Sequence, residues 1–193
     1  MNKSAGYESV ATVFIKGRGC AVNGAGTSSV RDWVRTLSSG STVLDIGCGT
    51  GVPISKTLIE EGMTVYGIDA SPTLVNAFQK NFPSSPIACE SVEDSSFFNL
   101  GFDAIVAWGL LFLLSKESQV LVIQKAATAL RTGGKLLFTA PSQNAEWKDV
   151  MTGQQSLSLG TAKYKEVLAT AGLSLLEEFE DEGGNHYFNT VKN

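Results

Sequence analysis

A seven-stranded, mostly parallel sheet with helices on both faces and an antiparallel hairpin at its end is the fold that this 193-residue sequence predicts. Three observations carry the prediction. Short β-branched or aliphatic runs alternate with segments of helical spacing, the rhythm of a doubly covered parallel sheet. A glycine-rich turn joins the first of those runs to the helix after it. The end of the chain holds two alternating runs about a glycine pair, a hairpin signal.

In chain order, a helix is expected over about 7–16. A second passes through Val30, Trp33, Val34 and Leu37, which share one face at i, i+3, i+4 and i+7. VLDI at 43–46 is the first strand, followed by a helix at about 52–61 and the strand TVYGID at 64–69. Pro72, just after Ser71, opens a helix over 72–81. PIAC at 86–89 and FDAIVAW at 102–108 are the next strands. Ser115 caps a helix over 116–131 with Val120, Ile123, Ala127 and Leu130 on one face, and Gly133 is expected to stop it. KLLFTA at 135–140 is the fifth strand. The polar stretch Pro141–Gly160 is expected as a long connection serving as a lid. A helix at 161–171, the run LSLLEEFED, a turn at 183–185 and HYFNTV complete the chain, the last strand antiparallel to its neighbour.

Nothing in composition divides this chain. Residues 1–193 read as one domain: an N-terminal helical cap at 1–40, a core at 41–140, the lid at 141–160 and a C-terminal helix and hairpin at 161–193. Fifteen basic against nineteen acidic side chains give a net charge of −4, which provides no global positive field for nucleic acid. Cys20, Cys48 and Cys89 are widely spaced and accompanied by a single histidine, so a reducing compartment is expected and a metal site is not. The N-terminus lacks a signal-peptide core, and the longest apolar run, Ala104–Leu114, is about half of a bilayer span. A cytoplasmic, unanchored protein is the expectation.

The sharpest motif is VLDIGCGTG at 43–51, where a buried strand turns abruptly into a helix. Gly47, Gly49 and Gly51 let a ligand approach the backbone, and the helix beyond offers free N–H groups. The spacing is G-x-G-x-G, and Val52 stands where the dinucleotide fingerprint has its third glycine. Asp69, at the end of the second strand, is placed to accept hydrogen bonds from a ribose diol. Asp45 adds a second acid beside the loop, and an anionic crevice favours a cationic ligand such as a sulfonium nucleoside over a pyrophosphate.

On these residues the chain resembles the class I S-adenosylmethionine-dependent methyltransferases of the small-molecule type, which have a Rossmann-like fold. The resemblance implies S-adenosyl-L-methionine as cofactor. It sets Gly47, Cys48, Gly49 and Gly51 along the aminoacyl part, with Asp45 near its ammonium. VYGIDAS resembles the family's second motif, which implies Asp69 on the ribose and Ala70 and Ser71 beside the adenine. CESVED at 89–94 resembles the segment that meets the adenine edge through a polar side chain, Ser91 or Glu90, and the backbone N–H of Val92. FDAIVAWGLLFLL resembles the fourth motif, with Ala107, Trp108 and Gly109 at the methionine side. In RTGGKLLFTAP, which resembles the family's signature around the fifth strand, Gly133 and Gly134 are structural.

Departures shape the expected chemistry. Phe112 and Leu113 occupy the stretch where many relatives carry histidines, and neither Asn-Pro-Pro-Tyr nor Asp-Pro-Pro-Tyr follows the fourth strand. What remains is in-line transfer to an O, N, S or C nucleophile of a small molecule, driven mainly by alignment. His186 is the one histidine and hence the candidate base; its alternative is a strand-end histidine bonded to the turn. Trp108 could face a sulfonium or fill the core. Trp147 and Met151 are candidate acceptor contacts from the lid, and Tyr7, Phe14 and Arg18 lie in the segment expected to close over the cofactor. The competing functions are a cofactor-binding protein without transfer activity and an NAD-dependent oxidoreductase, the latter disfavoured by the glycine spacing.

Overall fold

A computed structural model describes residues 3–21 and 24–193, with Arg18 described only through its backbone. The N-terminal segment forms α1 (Tyr7–Lys16), a short 3-10 turn and α2 (Thr27–Val34). The core follows as β1 (Thr42–Ile46), α3 (Ile54–Glu60), β2 (Thr64–Asp69), α4 (Pro72–Asn81), β3 (Ile87–Cys89), β4 (Phe102–Ala107), α5 (Lys116–Ala129) and β5 (Leu130–Thr139). Beyond it lie β6 (Asn144–Lys148), β7 (Gln155–Leu159), α6 (Thr161–Thr170), β8 (Leu173–Glu180) and β9 (His186–Lys192).

Seven strands form one sheet in the order β3-β2-β1-β4-β5-β9-β8. The first five are parallel, and β9 runs antiparallel to both β5 and β8, with Phe138 opposite Phe188. Period-two alternation divides the core between the two faces. Val43, Val65, Ala104, Val106 and Leu137 pack under α2 and α3, while Leu44, Ile68, Ile105, Leu136 and Phe138 pack under α5 and α6. Ser115 accepts the Ser118 N–H, which makes the expected N-cap of α5, and Ser71 accepts the Leu74 N–H and caps α4. Among the described residues, no helix is long and apolar enough to cross a membrane.

Two expectations about local structure are corrected. Gly133 does not stop α5: the chain leaves the helix at Leu130, which is already extended, buries its side chain and pairs with Phe102 in β4. Gly133, at φ 76°, instead turns the chain inside β5, where the register against β4 shifts between Phe102 and Ala104.

The stretch 141–160 is not an irregular connection but carries the antiparallel hairpin β6–β7, with Trp147 opposite Ser156. Its alternation runs against the usual sense, because Ser156 and Ser158 of QSLSL are buried, the Ser158 hydroxyl donating to the Pro141 carbonyl at 2.6 Å. A strand that turns serines inward shows no apolar stripe in its sequence.

Candidate active site

The parallel strands end at one edge of the sheet, where open α/β sheets bind ligands. A cavity of about 240 Å³ lies there. Its floor is the loop between β1 and α3. The N–H groups of Gly47 and Cys48 donate to the Ile68 carbonyl at 2.8 and 3.1 Å, and the Gly49 N–H donates to Asp69 Oδ2 at 2.8 Å. Asp69 Oδ1 accepts the Ser71 N–H at 2.8 Å. Each carboxylate oxygen keeps a lone pair for a further donor. Gly47 sits at φ 73°, and a Cβ there would press on Leu110 of the opposite wall.

Asp45 lies beneath this loop, 2% exposed, accepting from the Ser55 hydroxyl at 2.5 Å. Burial raises its carboxyl to about 7, against the Ser55 bond and with the Asp69 charge adding to the rise. Asp69 is also raised by burial, countered by its bonds from Ser71 and Gly49. Burial likewise pushes the Cys48 thiol up, so that side chain packs rather than reacts, and only its place in the loop wall faces the cavity.

The wall beyond β3 contributes Glu90, Val92 and Glu93. The Lys125 ammonium shapes that loop by donating to the carbonyls of Val92, Glu93 and Ser95 at 2.6, 2.8 and 2.7 Å. On the β4 side the wall is Trp108, Gly109, Leu110 and Phe112. Trp108 is fixed by its Nε1–H bond to the Tyr187 hydroxyl at 2.9 Å, and that hydroxyl donates to Asp181 at 2.8 Å.

The roof comes from far away in the chain. Glu8 of α1 accepts from the Ser71 and Thr73 hydroxyls and from the Thr73 N–H, which holds its carboxyl below the usual range. The Lys3 ammonium bonds Asp94 at 2.8 Å. The Tyr7 hydroxyl lies 3.5 Å from Asp149 Oδ2, at the turn between β6 and β7, and the Phe14 ring crosses that of Tyr7 edge-on. The side chain of Arg18 lies outside the described residues.

The structure therefore brings Asp45, Gly47, Cys48, Gly49, Asp69, Ala70, Val92, Trp108 and Gly109 to one cavity. It does not bring the other expected residues there. Gly51 closes the strand-to-helix turn against Phe78 and Phe82, whose rings leave no room for a Cβ. Ser71 is committed to the α4 cap and Glu8, and Ser91 donates to Asp94 at 2.9 Å. Ala107 faces the core under α5, its side chain on the opposite side of the strand from Val106.

His186 lies outside the cavity lining. Alternation along β9 turns it to the face of Phe188, where Nε2 lies 3.1 Å from Glu178 Oε2 and Nδ1 3.7 Å from Glu180. Trp147 supports the wall from behind, its ring 5.7 Å from that of Phe112, and Met151 enters only through its N–H bond to Asp149. Asp149 and Asn185 line the cavity, and Glu8, outside the lining, ties α1 to the start of α4; sequence reasoning found none of the three. Glu8 is an acid in a first helical turn and Asp149 a turn-forming acid, both ordinary for their local structure.

Comparison with known proteins finds methyltransferases. A family model described as a methyltransferase domain matches residues 43–134. An uncharacterized methyltransferase of Anoxybacillus flavithermus is 34% identical over 105 residues, covering 52% of this chain and 47% of that protein. A ubiquinone biosynthesis O-methyltransferase of Xanthomonas axonopodis pv. citri is 28% identical over 150 residues, covering 72% of this chain and 62% of its own. The chain thus spans less than two thirds of either relative. Among solved structures, a TehB-like S-adenosylmethionine-dependent methyltransferase from Corynebacterium glutamicum superposes with a TM-score of 0.73 at 19% identity, over 97% of this chain and 98% of that one.

Proposed function

We propose that the chain, whose residues 43–134 match a methyltransferase-domain model, is a class I S-adenosylmethionine-dependent methyltransferase that methylates an O, N, S or C nucleophile of a small molecule. The observation that carries the reading is the Asp69 carboxylate tied to the Gly49 N–H at the cavity floor, with the buried Asp45 beside it. A ribose diol and a cationic amino acid end fit that pair of acids, and the close-approach glycine at Gly47 leaves the backbone open to them.

In this reading Asp69 takes the ribose hydroxyls, Asp45 faces the ammonium across the Gly47–Gly49 backbone, and Ala70 and Val92 border the adenine. Trp108 and Gly109 border the methionine end, where the indole face suits a sulfonium. When bound, the cofactor supplies an activated methyl group with a thioether leaving group. The chain itself contributes alignment and exclusion of water, and proximity of this kind supplies about 7–11 kcal/mol. With His186 turned toward Glu178, no histidine lines the reaction space.

A small-molecule acceptor is supported by the mostly apolar wall of Leu110, Phe112, Leu113 and Trp108, and by the ubiquinone-biosynthesis O-methylation for which the Xanthomonas relative is named. We place the activity in the cytoplasm, on the three free thiols Cys20, Cys48 and Cys89. Calorimetric titration with S-adenosylmethionine, S-adenosylhomocysteine and NADH tests the cofactor, with Asp69→Ala as control. Binding of the two sulfur ligands that weakens in the variant is the expected result; binding of NADH alone, or of none, overturns the reading. Release of S-adenosylhomocysteine only with tRNA or protein acceptors would overturn the small-molecule part.

A further inference from the structure

The cavity wall carries an acid that the cofactor reading does not use. Asp149 stands at the turn between β6 and β7, lines the cavity and is 8% exposed. Its Oδ1 accepts from the Met151 N–H, the Thr152 N–H and the Thr152 hydroxyl at 3.1, 2.8 and 2.9 Å. Among the described residues, the one hydrogen-bond donor to Oδ2 is the Tyr7 hydroxyl, 3.5 Å away and beyond the roughly 2.5–3.0 Å of an ordinary O–H···O bond. A largely buried carboxylate oxygen held so loosely is costly unless a ligand completes it.

The rest of Asp149 is fixed. Its N–H donates to the Gln154 carbonyl and its carbonyl accepts the Gly153 N–H, both at 2.8 Å, so with Oδ1 also tied down, Oδ2 is a preorganised acceptor. Asn185 offers the same cavity a second one. Its Nδ2 lies 3.0 and 2.9 Å from the two oxygens of Asp181, and because a carboxylate only accepts, the amide nitrogen takes that side and Oδ1 faces away from it.

The remaining lining is aromatic, with Phe14, Trp108 and Phe112 along it. Its one basic side chain among the described residues, Lys3, is already bonded to Asp94 at 2.8 Å. We propose that Asp149 is the specificity-determining residue for the methyl acceptor, holding the ammonium of an aromatic amine through Oδ2 and rejecting aromatic carboxylates. The inference rests on the methyl-transfer reading above and narrows its acceptor class. An aryl ring packs on the aromatic wall, and an ammonium brings three N–H donors to a site that presents acceptors. A carboxylate in the same place sets two like charges together with no cation free to separate them. A site built around such an acceptor rejects the ligand that lacks the donor.

The test uses the full chain saturated with S-adenosylhomocysteine and two matched sets of probes, titrated by calorimetry. One set is 2-phenylethylamine, 2-phenylethanol and 3-phenylpropionate; the other is tryptamine, tryptophol and indole-3-propionate. In at least one set the wild type should bind the amine about tenfold or more tighter than the alcohol, the size expected for a hydrogen bond between charged groups, and the carboxylate weakest. Asp149→Asn keeps an Oδ1 acceptor for the turn but replaces the charged Oδ2 by an amide N–H. It should lose most of the amine preference and bind the carboxylate better than the wild type does. A purely structural role for Asp149 would weaken all three probes alike. The wild-type ranking tests the assignment even where the variant does not fold.

Binding of S-adenosylhomocysteine with no amine bound, or with amine and carboxylate bound equally, overturns this assignment while leaving the cofactor reading intact. An unchanged amine preference in Asp149→Asn overturns it too. A loss of S-adenosylhomocysteine affinity in that variant as large as the loss of the amine moves Asp149 to the cofactor site and overturns it likewise. Failure of the wild type to bind S-adenosylhomocysteine overturns the cofactor reading and this inference with it.

Discussion

Asp69 Oδ2 accepts the Gly49 N–H at 2.8 Å, so a single carboxylate at the end of β2 pins the loop that follows β1. Its other oxygen holds the Ser71 N–H at the start of α4. Asp69→Ala should therefore unfasten two backbone segments and remove the ribose acceptor together, lowering affinity for S-adenosylhomocysteine by about tenfold to a hundredfold. Asp69→Asn keeps one acceptor oxygen and should fall between the two in calorimetry. An alanine variant that binds as the wild type does would remove Asp69 from the site.

Asp45 makes ligand binding depend on pH. Its folded carboxyl titrates near 7 against 3.8 for an ordinary aspartate, and a cationic ligand favours the ionised form. Affinity should rise about tenfold from pH 6 to pH 8, the ratio of the ionised fractions, and this rise should vanish in Asp45→Asn. The ligand-free protein should show the opposite trend. Between pH 3.8 and about 7 the folded state keeps a proton that the unfolded chain has released, so stability falls as pH rises through that window. Urea melts of both proteins across that range check the sign.

Tyr187 joins the Trp108 indole to Asp181 and is fully buried. Tyr187→Phe leaves an indole N–H and a carboxylate oxygen each short of a partner and should cost about 1–3 kcal/mol in chemical denaturation. Trp108→Phe loses one bond and leaves the Tyr187–Asp181 bond intact, so a smaller loss of about 1 kcal/mol is expected.

The Lys125 ammonium serves three carbonyls of one loop and sits over the Phe97 ring, 4.9 Å from its centroid. Lys125→Met should cost about 2–3 kcal/mol and speed amide exchange in residues 91–97. Faster exchange spread evenly over the whole sheet would instead mean a global loss of stability.

His186 pairs with Glu178 and Glu180 away from the cavity lining. His186→Ala should leave both cofactor affinity and turnover within about twofold, because the side chain lies outside the cavity lining. A much larger loss of turnover at unchanged affinity would restore it as a base.

Much of this fold is legible along the chain because its signals are local. TVYGID alternates, Ser71 and Pro72 announce α4, and the glycine pair at 183–184 sets the last hairpin, so β2, α4 and β8–β9 stand where periodicity and turn chemistry put them. The β6–β7 hairpin is not legible, since it buries Ser156 and Ser158, the latter bonded to the Pro141 carbonyl, where an apolar stripe would be expected. The end of α5 was misread for a related reason: Leu130 continues the helical spacing, but its place beside Phe102 in the sheet prevails.

The sequence by itself determined the sheet, its glycine turn and the two acids beside it, because strand alternation, a positive-φ turn and a strand-end carboxylate are each encoded in a short local stretch of chain. Only the tertiary structure decided which side chains face the cavity. Glu8 reaches Ser71 across 63 positions and Tyr7 reaches Asp149 across 142. Ser91 donates to Asp94 and Glu90 accepts from Ser95, so the loop after β3 spends its own polar side chains within itself. Packing of distant elements fixes such choices, and it leaves no periodic trace in the chain.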